Sequence, residues 1–426
     1  MNQSQRVLVA GTGISGISAA KLLLAQGGEV VLYDGNEKLS EEKLKAKFDE
    51  GAKVTIVLGE LKKTDLMGVE LCVISPGIPL EAPFVAVIDE AKIPIWSEIE
   101  LAYHCSKGKL AAITGTNGKT TTTALTGEIM RKFYKSVFVV GNIGDPYTAH
   151  ALETTDESVT VAEVSSFQLE TIMDFHPNVS AITNITPDHL DRYDHCMQNY
   201  IDAKFRITQN QTTDDAFIFW NDDPIIKQEL AKHGLKAHLY PFAAVKEDGA
   251  IAYVEDHEVK ITEPIAFNME QEELALTGQH NLYNSLAAGI SANLAGITKE
   301  NIRKALSDFK GVEHRLEKVA RVRGIDFIND SKATNVNSCW YALQSMTTKT
   351  VLILGGKDKG NDYTEIEDLV REKCSALVYL GLHNEKLHAF FDRFGLPVAD
   401  VQTGMKDAVE AAYKLAKKGE TVLLSP

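Results

Sequence analysis

A chain of 426 residues has room for two or three domains of roughly 100–200 residues each. Its 59 acidic and 44 basic residues leave a net charge of −15, which works against nonspecific nucleic-acid binding, because that rests on phosphate neutralisation by Lys and Arg. No run of eighteen apolar residues occurs and the five cysteines are scattered without a C-x-x-C pair, which excludes a membrane-spanning helix, a zinc framework and a disulfide scaffold.

The first segment enters a strand at once, without signal-peptide architecture. Together with reduced thiols this fits a cytoplasmic protein. Strand Val7–Ala10 runs into Gly11-x-Gly13-x-x-Gly16 and then a helix with Ile14, Ile17 and Leu24 at helical spacing. A second strand, EVVLYD, ends in Asp34. Glycines for a tight turn and close phosphate approach, with an acid for a ribose at the next strand end, form a Rossmann fingerprint. Further strands are expected in ELCVISPGIP, which ends in Ser75-Pro76-Gly77, and in KIPIWSE, which closes the segment near Ser97.

The second segment carries LAAITGTNGKTTTTAL, from Leu110 to Leu125. Strand, glycine loop, Lys-Thr and helix is a cradle for a nucleotide triphosphate. Backbone N–H groups and the helix N-terminus face the phosphates, Lys119 supplies positive charge, and a threonine hydroxyl reaches Mg²⁺. The usual G-x-x-x-x-G-K-[ST] rule asks for a glycine where Ile113 stands, so this is a shorter variant, Gly115-Thr116-Asn117-Gly118-Lys119-Thr120. The helix behind it is expected to present Leu125, Ile129 and Phe133 on one face. Apolar runs SVFVVG, SVTVAEVS, NVSAITNI and DDAFIFW read as buried parallel strands. From Ala237 to Leu276 short alternating pieces suggest added antiparallel hairpins, and a helix is expected over Asn281–Leu294.

The third segment alternates again: strand IDFIND, a helix after Asn337, strands TVLILGG and SALVYLG, a helix over Lys406–Lys417 and a last strand, TVLLS. That pattern predicts another doubly wound sheet. The expected fold is α/β in three domains. They are a Rossmann-like domain over 1–98, a P-loop ATPase-type parallel sheet with added antiparallel strands over 99–310, and a Rossmann-like domain over 311–426. The chain stops at Pro426 directly after a strand, so the third domain is expected to lack a site-forming loop and helix.

Polar residues gather at the strand ends of the central segment: Glu163, Ser165 and Ser166 after one strand, Asn184, Asp188 and His189 after another, and Lys204 in a helix soon after. In a parallel sheet these ends share an edge with the phosphate loop. A carboxylate, an imidazole and a threonine hydroxyl beside a triphosphate suit Mg²⁺. Read from physics alone, Lys204 is a salt-bridged helix lysine. Two nucleotide-type loops in separate domains suggest an ATP-driven enzyme whose other substrate is nucleotide-like.

Taken in order, GTNGKTT, the strand-end glutamate, NITPDHLDRY, GQHNLYNSLAA, GVEHRLE and NDSKATN resemble the Mur ligases of peptidoglycan synthesis over essentially the whole chain. Within that family SPGIP, SSFQLE and DHLDRY are most similar to the members that add D-glutamate to UDP-N-acetylmuramoyl-L-alanine. The resemblance implies an ADP-forming amide ligase working through an acyl phosphate. It gives Gly115, Thr116, Asn117, Gly118, Lys119, Thr120 and Thr121 to ATP, with Asn281 and Asn284 at adenine and His314, Arg315 and Asp330 as further ATP contacts. Thr120 and Glu163 would serve one Mg²⁺; His189 and a carbamylated Lys204 would serve a second. Catalysis would fall to Lys119, Glu163, His189 and Lys204. The first domain would hold UDP rather than NAD, through Ile14, Ser15, Asp34, Ser75, Pro76, Gly77 and Ile78, with Asn142 reaching the muramoyl side. Lys332, Thr334, Lys359 and Ser425 would bind D-glutamate, more weakly if the third domain is incomplete. The implied protein is a cytoplasmic monomer without nucleic-acid or membrane partners, hinged near Ile99 and Gly311. An oxidoreductase is disfavoured by the second loop, and a nucleotide sensor by the polar cluster around it.

Overall fold

A computed structural model describes residues 5–356 and 361–426. The chain divides into two compact units, one of Met1–Glu273 with Tyr283–Leu306 and one of Leu274–Leu282 with Ser307–Pro426. The first unit holds two sheets and the second unit one. Among the described residues no helix is long and apolar enough to cross a membrane.

The first sheet is built from β1 (Arg6–Ala10), β2 (Glu29–Asp34), β3 (Val54–Leu58), β4 (Val69–Ile74) and β5 (Ile95–Ser97) in the order β3-β2-β1-β4-β5. All its pairings are parallel. Val7, Leu8, Val9 and Ala10 are all fully buried, as expected for a strand covered on both faces. The helix Ile14–Ala25 follows the glycine loop, but its buried face is Gly16, Ala19, Ala20, Leu22 and Leu23. Ile14, expected on the apolar face, is 74% exposed. Small residues let the helix lie close to the sheet, and periodicity of the large residues alone missed that. The short β-branched run of β3 also escaped the sequence reading.

The second sheet comprises β6 (Lys109–Thr114), β7 (Val137–Gly141), β8 (Val159–Glu163), β9 (Val179–Ile182), β10 (Ala216–Trp220), β11 (His238–Val245), β12 (Ala252–Glu255), β13 (Glu258–Ile261) and β14 (Phe267–Glu270). Its order is β14-β13-β12-β11-β10-β9-β6-β8-β7. β11 pairs parallel to β10 and to β12, so antiparallel pairing begins only between β12 and β13. The hairpin expected from Ala237 onward therefore starts later than the alternation suggested. In the helix Lys119–Arg131, Leu125 and Ile129 are buried, whereas Phe133 lies beyond its end and is exposed.

In the second unit the order is β15-β16-β20-β17-β18-β19, with β15 (Glu317–Val322), β16 (Ile325–Asn329), β17 (Thr350–Gly355), β18 (Cys374–Leu380), β19 (Val398–Val401) and β20 (Thr421–Leu424). Only the edge pair β15–β16 is antiparallel within this sheet. In the first two sheets the chain leaves a central strand toward both sides. That makes a switch point at the carboxyl end of β1 and of β6, where the two glycine loops sit, and open α/β sheets bind ligands at such points.

Candidate functional site

The loop after β6 is held open by its own backbone. Gly115 has φ +138° and Gly118 φ +87°, conformations costly for side chains. A Cβ on Gly115 would lie 2.0 Å from Thr183 Oγ1, and one on Gly118 2.3 Å from Asn284 Oδ1. Thr183 Oγ1 donates to the Asn117 carbonyl at 2.6 Å. Asn184 brackets the same residue, its Oδ1 accepting from Asn117 N at 2.9 Å and its Nδ2 donating to Asn117 O at 3.0 Å. Thr116 Oγ1 lies 3.0 Å from Tyr200 OH and accepts from Thr186 N at 3.0 Å. The loop is thus pinned by residues after β9 and on the helix Met197–Phe205. Thr183 and Tyr200 were not singled out from the sequence; no spacing rule flags a threonine inside a strand-end run or a tyrosine on a helix.

Two lysines converge on one carbonyl. Lys119 Nζ donates to Gly115 O at 3.0 Å and to Thr116 O at 2.8 Å. Lys204 Nζ donates to Gly115 O at 2.7 Å and lies 4.5 Å over the Tyr200 ring. Lys204 is fully buried, and burial, reinforced by the Lys119 charge and opposed by Asp188, holds its pKa well below the usual lysine value. Lys204 is on a helix, as physics alone suggested, but it is buried with its Nζ on a backbone carbonyl rather than salt-bridged.

Glu163 ends β8, whose register sets it opposite Ile113 of β6, two residues before Gly115. It is buried; Oε1 accepts from Asn142 Nδ2 at 2.9 Å, and Oε2 is buried without a hydrogen-bond partner. A buried carboxylate oxygen left unpaired costs free energy unless it faces a cation or a donor. Such an oxygen fits a metal ligand. Thr120 is buried in the first helical turn, and Thr121 Oγ1 is buried without a partner. His189 has φ +51°, sits 3.7 Å from an Asp188 oxygen through Nε2, and meets the Phe167 ring edge-on at 5.1 Å.

On the first loop, Asp34 is already engaged. Its Oδ2 accepts from Thr12 Oγ1 at 2.6 Å and Thr12 N at 3.2 Å, and its Oδ1 from Asn36 N at 3.0 Å. Ser75 Oγ is buried without a hydrogen-bond partner, Ile78 N donates to Ser75 O at 3.0 Å, and Pro76, Gly77 and Ser15 are at least partly exposed. A cavity of about 700 Å³ opens beside this loop, lined by Thr12, Gly13, Ile14, Lys21, Lys47 and Thr148 among others.

In the second unit the fold gathers Asp330, Arg315 and Ser425, and joins His314 to Lys332. Asp330 is buried beside Arg315; Leu316 N donates to its Oδ1 at 3.1 Å and Ser425 Oγ to its Oδ2 at 3.4 Å. Burial pushes the Asp330 carboxyl up to about 6 against the pull of Arg315. His314 is exposed, with Nδ1 2.8 Å from Asn329 Nδ2, and its carbonyl accepts from Lys332 N at 3.1 Å. Ser425 is fully buried, Thr334 is exposed, and Lys359 lies outside the described residues. Asn281 belongs to this unit and donates to Thr277 O at 2.9 Å. Asn284 belongs to the first unit, where Thr122 Oγ1 donates to its Oδ1 at 3.2 Å.

Comparison with known proteins adds the family context. Residues 5–97 match the Mur ligase MurD-like N-terminal domain, 113–292 the Mur ligase middle domain, and 314–426 the Mur ligase glutamate ligase domain. A relative from Bacteroides thetaiotaomicron named UDP-N-acetylmuramoylalanine–D-glutamate ligase is 71% identical over 424 residues, covering 99% of this chain and 94% of its own. One of the same name from Porphyromonas gingivalis is 45% identical over 428 residues, 99% of this chain and 93% of its own. Among solved structures, UDP-N-acetylmuramate-alanine ligase MurC from Thermotoga maritima superposes with a TM-score of 0.62 at 19% identity, covering 99% of this chain and 95% of that one. MurF from Acinetobacter baumannii gives 0.62 at 16% identity, with 98% and 89% covered. At those identities the structural likeness speaks for the fold.

Proposed function

The chain belongs to the Mur ligase family, and from that premise we propose that it is the ATP-dependent ligase joining D-glutamate to UDP-N-acetylmuramoyl-L-alanine. It releases ADP and phosphate, acting as a monomer in cytoplasmic synthesis of a peptidoglycan precursor. The observation that carries the reading is the pairing of Glu163, with its unpartnered buried oxygen, and the lysine-lined phosphate loop at one sheet edge.

The loop Gly115–Thr121 takes the triphosphate on backbone N–H groups and the helix N-terminus. Lys119, already curled over the loop, faces the phosphoryl group being transferred. The substrate carboxylate attacks the γ-phosphorus and ADP leaves. The amine of D-glutamate then attacks the acyl carbon, losing a proton, and phosphate leaves with the C–O electron pair. Both partners of the first step are anionic, so fixed positive charge is the main contribution of the site. Thr120 and Glu163 would hold one Mg²⁺, and His189 with Lys204 carbamate a second. Mg²⁺ when bound neutralises phosphate charge.

Lys204 suits carbamylation because its depressed pKa favours the neutral amine. That form adds to CO₂: an N–C bond forms as one C–O π bond opens, an N–H proton leaves, and the neutral amine becomes an anionic oxygen donor. The loop Ser75–Ile78, with Ile14, Ser15 and Asp34, takes the UDP part and Asn142 the muramoyl side. Asn281, Asn284, His314, Arg315 and Asp330 contact ATP; Lys332, Thr334, Lys359 and Ser425 bind D-glutamate. The three-domain division at 1–98, 99–310 and 311–426 is part of the same proposal, supported by the three separate sheets.

The test is phosphate release from UDP-N-acetylmuramoyl-L-alanine, ATP and Mg²⁺ with D-glutamate, L-glutamate, L-lysine or no acceptor. Release that depends on D-glutamate supports the reading. Release that is equal without an acceptor, or that follows L-lysine, refutes it.

A further inference from the structure

Arg192 has no part in the roles above, yet it is the most heavily engaged arginine near the site. It lies in the short 3-10 turn Leu190–Tyr193, directly after His189, with only 12% of its side chain exposed. Its Nη1 donates to the carbonyl of Pro76 at 3.1 Å, in the loop that follows β4 of the first sheet. Its Nη2 donates to Glu170 Oε2 at 2.7 Å. The guanidinium carbon lies 4.5 Å over the Phe167 ring.

Phe167 in turn faces His189 at 5.1 Å and Tyr193 at 6.1 Å. Tyr193 meets Tyr200 at 5.4 Å, and the Tyr200 hydroxyl reaches Thr116 of the phosphate loop at 3.0 Å. A packed line thus runs from the Pro76 carbonyl through Arg192 and three aromatic rings to Thr116. His189, Asp194 and His195 hold φ values of +51°, +53° and +54°, so surrounding contacts impose this turn.

We propose that Arg192 is a positioning residue that couples the two glycine-loop sites. A UDP-linked substrate seated on Ser75–Ile78 steadies the Pro76 carbonyl. Arg192 then fixes the His189 turn and, through Phe167, Tyr193 and Tyr200, the phosphate loop in its binding geometry. The inference rests on the reading of the first loop as the UDP-substrate site. Only arginine suits the position: its planar fork reaches two acceptors at once while stacking on a ring, whereas lysine serves one acceptor. Coupling of this kind is reciprocal, each ligand tightening the other by the same factor.

The experiment is calorimetric titration of Mg²⁺ with a non-hydrolysable ATP analogue, with and without UDP-N-acetylmuramoyl-L-alanine, and the reverse titration. The unmodified protein should show mutual tightening of about 5- to 150-fold, equal in both directions. Arg192→Ala alone would strand the Glu170 carboxylate, so the variants are Arg192→Lys and the double variant Arg192→Ala with Glu170→Ala. Both should still bind each ligand alone, with the coupling factor falling toward one in the double variant and partly kept in Arg192→Lys. Coupling that is absent from the unmodified protein, or that survives in the double variant, overturns the inference while leaving the first-loop reading intact. Failure of the unmodified protein to bind the UDP-linked substrate at all overturns that reading, and this inference with it.

Discussion

Replacing Glu163 with glutamine separates a metal ligand from a structural strut. The amide has nearly the shape of the carboxylate, and its oxygen can keep the 2.9 Å bond that Oε1 accepts from Asn142 Nδ2. What changes is Oε2, buried and without a hydrogen-bond partner. Leaving a buried polar group unsatisfied costs about 1–3 kcal/mol, and more when it is charged. Without added Mg²⁺ the variant should therefore be as stable as the unmodified protein, or more stable by about 1 kcal/mol. Mg²⁺ should stabilise the unmodified protein by up to about 2.7 kcal/mol at a hundredfold excess over its dissociation constant, and the variant by much less. Turnover should fall about a hundredfold to a thousandfold, the usual loss on removing one electrostatic contributor to the transition state. Calorimetric melting with and without Mg²⁺, together with phosphate release at saturating substrates, reads all three. Turnover near that of the unmodified protein, or a large fall in melting temperature with the Mg²⁺ effect intact, would refute the reasoning and leave Glu163 as the support of Asn142.

Lys119→Ala takes the lysine donor from Thr116 O and leaves Gly115 O with Lys204 alone, and should cost at most about 1 kcal/mol of stability while lowering turnover about a hundredfold or more, measured as ADP formation. Gly118→Ala should be destabilised by at least about 1–2 kcal/mol, because φ +87° is a left-handed conformation and the new Cβ would lie 2.3 Å from Asn284 Oδ1; a melting temperature unchanged from the unmodified protein contradicts this. For Lys204, protein equilibrated with ¹³C-bicarbonate should show a carbamate carbon resonance that is lost in Lys204→Arg. Asp330 has its pKa raised from 3.8 to about 6, so its contribution to stability is present below 3.8 and lost as pH rises through 6. Ionising it in place costs roughly 3 kcal/mol. Asp330→Asn should therefore melt higher than the unmodified protein at pH 8, with the gain shrinking below pH 5.

The parts of this fold that the sequence announces are those with a local cause. A glycine loop between an apolar run and a helix marks both switch points, because backbone geometry there admits few other residues. Long buried strands such as β6, β8 and β17 follow from continuous apolar runs. Features decided by distant partners were not legible. The face that the helix Ile14–Ala25 buries depends on how closely it approaches the sheet, and its alanines carry no periodic signal. Lys204 reads as a salt-bridged helix lysine until the helix Met197–Phe205 is seen to point it at Gly115 O. The same holds for Thr183, Tyr200 and Arg192, whose partners lie far away in sequence.

The two glycine loops look alike as text, and electrostatics distinguishes them. In the first, the Asp34 carboxylate accepts the Thr12 amide and hydroxyl, so a negative charge sits inside the loop. A phosphate charge about 4 Å from such a carboxylate would be repelled by about 4 kcal/mol at an effective dielectric of 20. The second loop is closed instead by neutral groups, the Thr183 hydroxyl and the Asn184 amide, and two lysine nitrogens lie at its Gly115 carbonyl. Under the proposed function the triphosphate would go to the second loop for that reason, and the Asp34 side of the first would take the neutral base and sugar of the UDP part, with its diphosphate kept away from that carboxylate. Introducing a carboxylate by Asn184→Asp would carry the first loop's electrostatics into the second. The expected outcome is a raised KM for ATP with little change in that for the UDP-linked substrate. An unchanged KM for ATP in a folded variant would show that loop charge does not sort the two ligands.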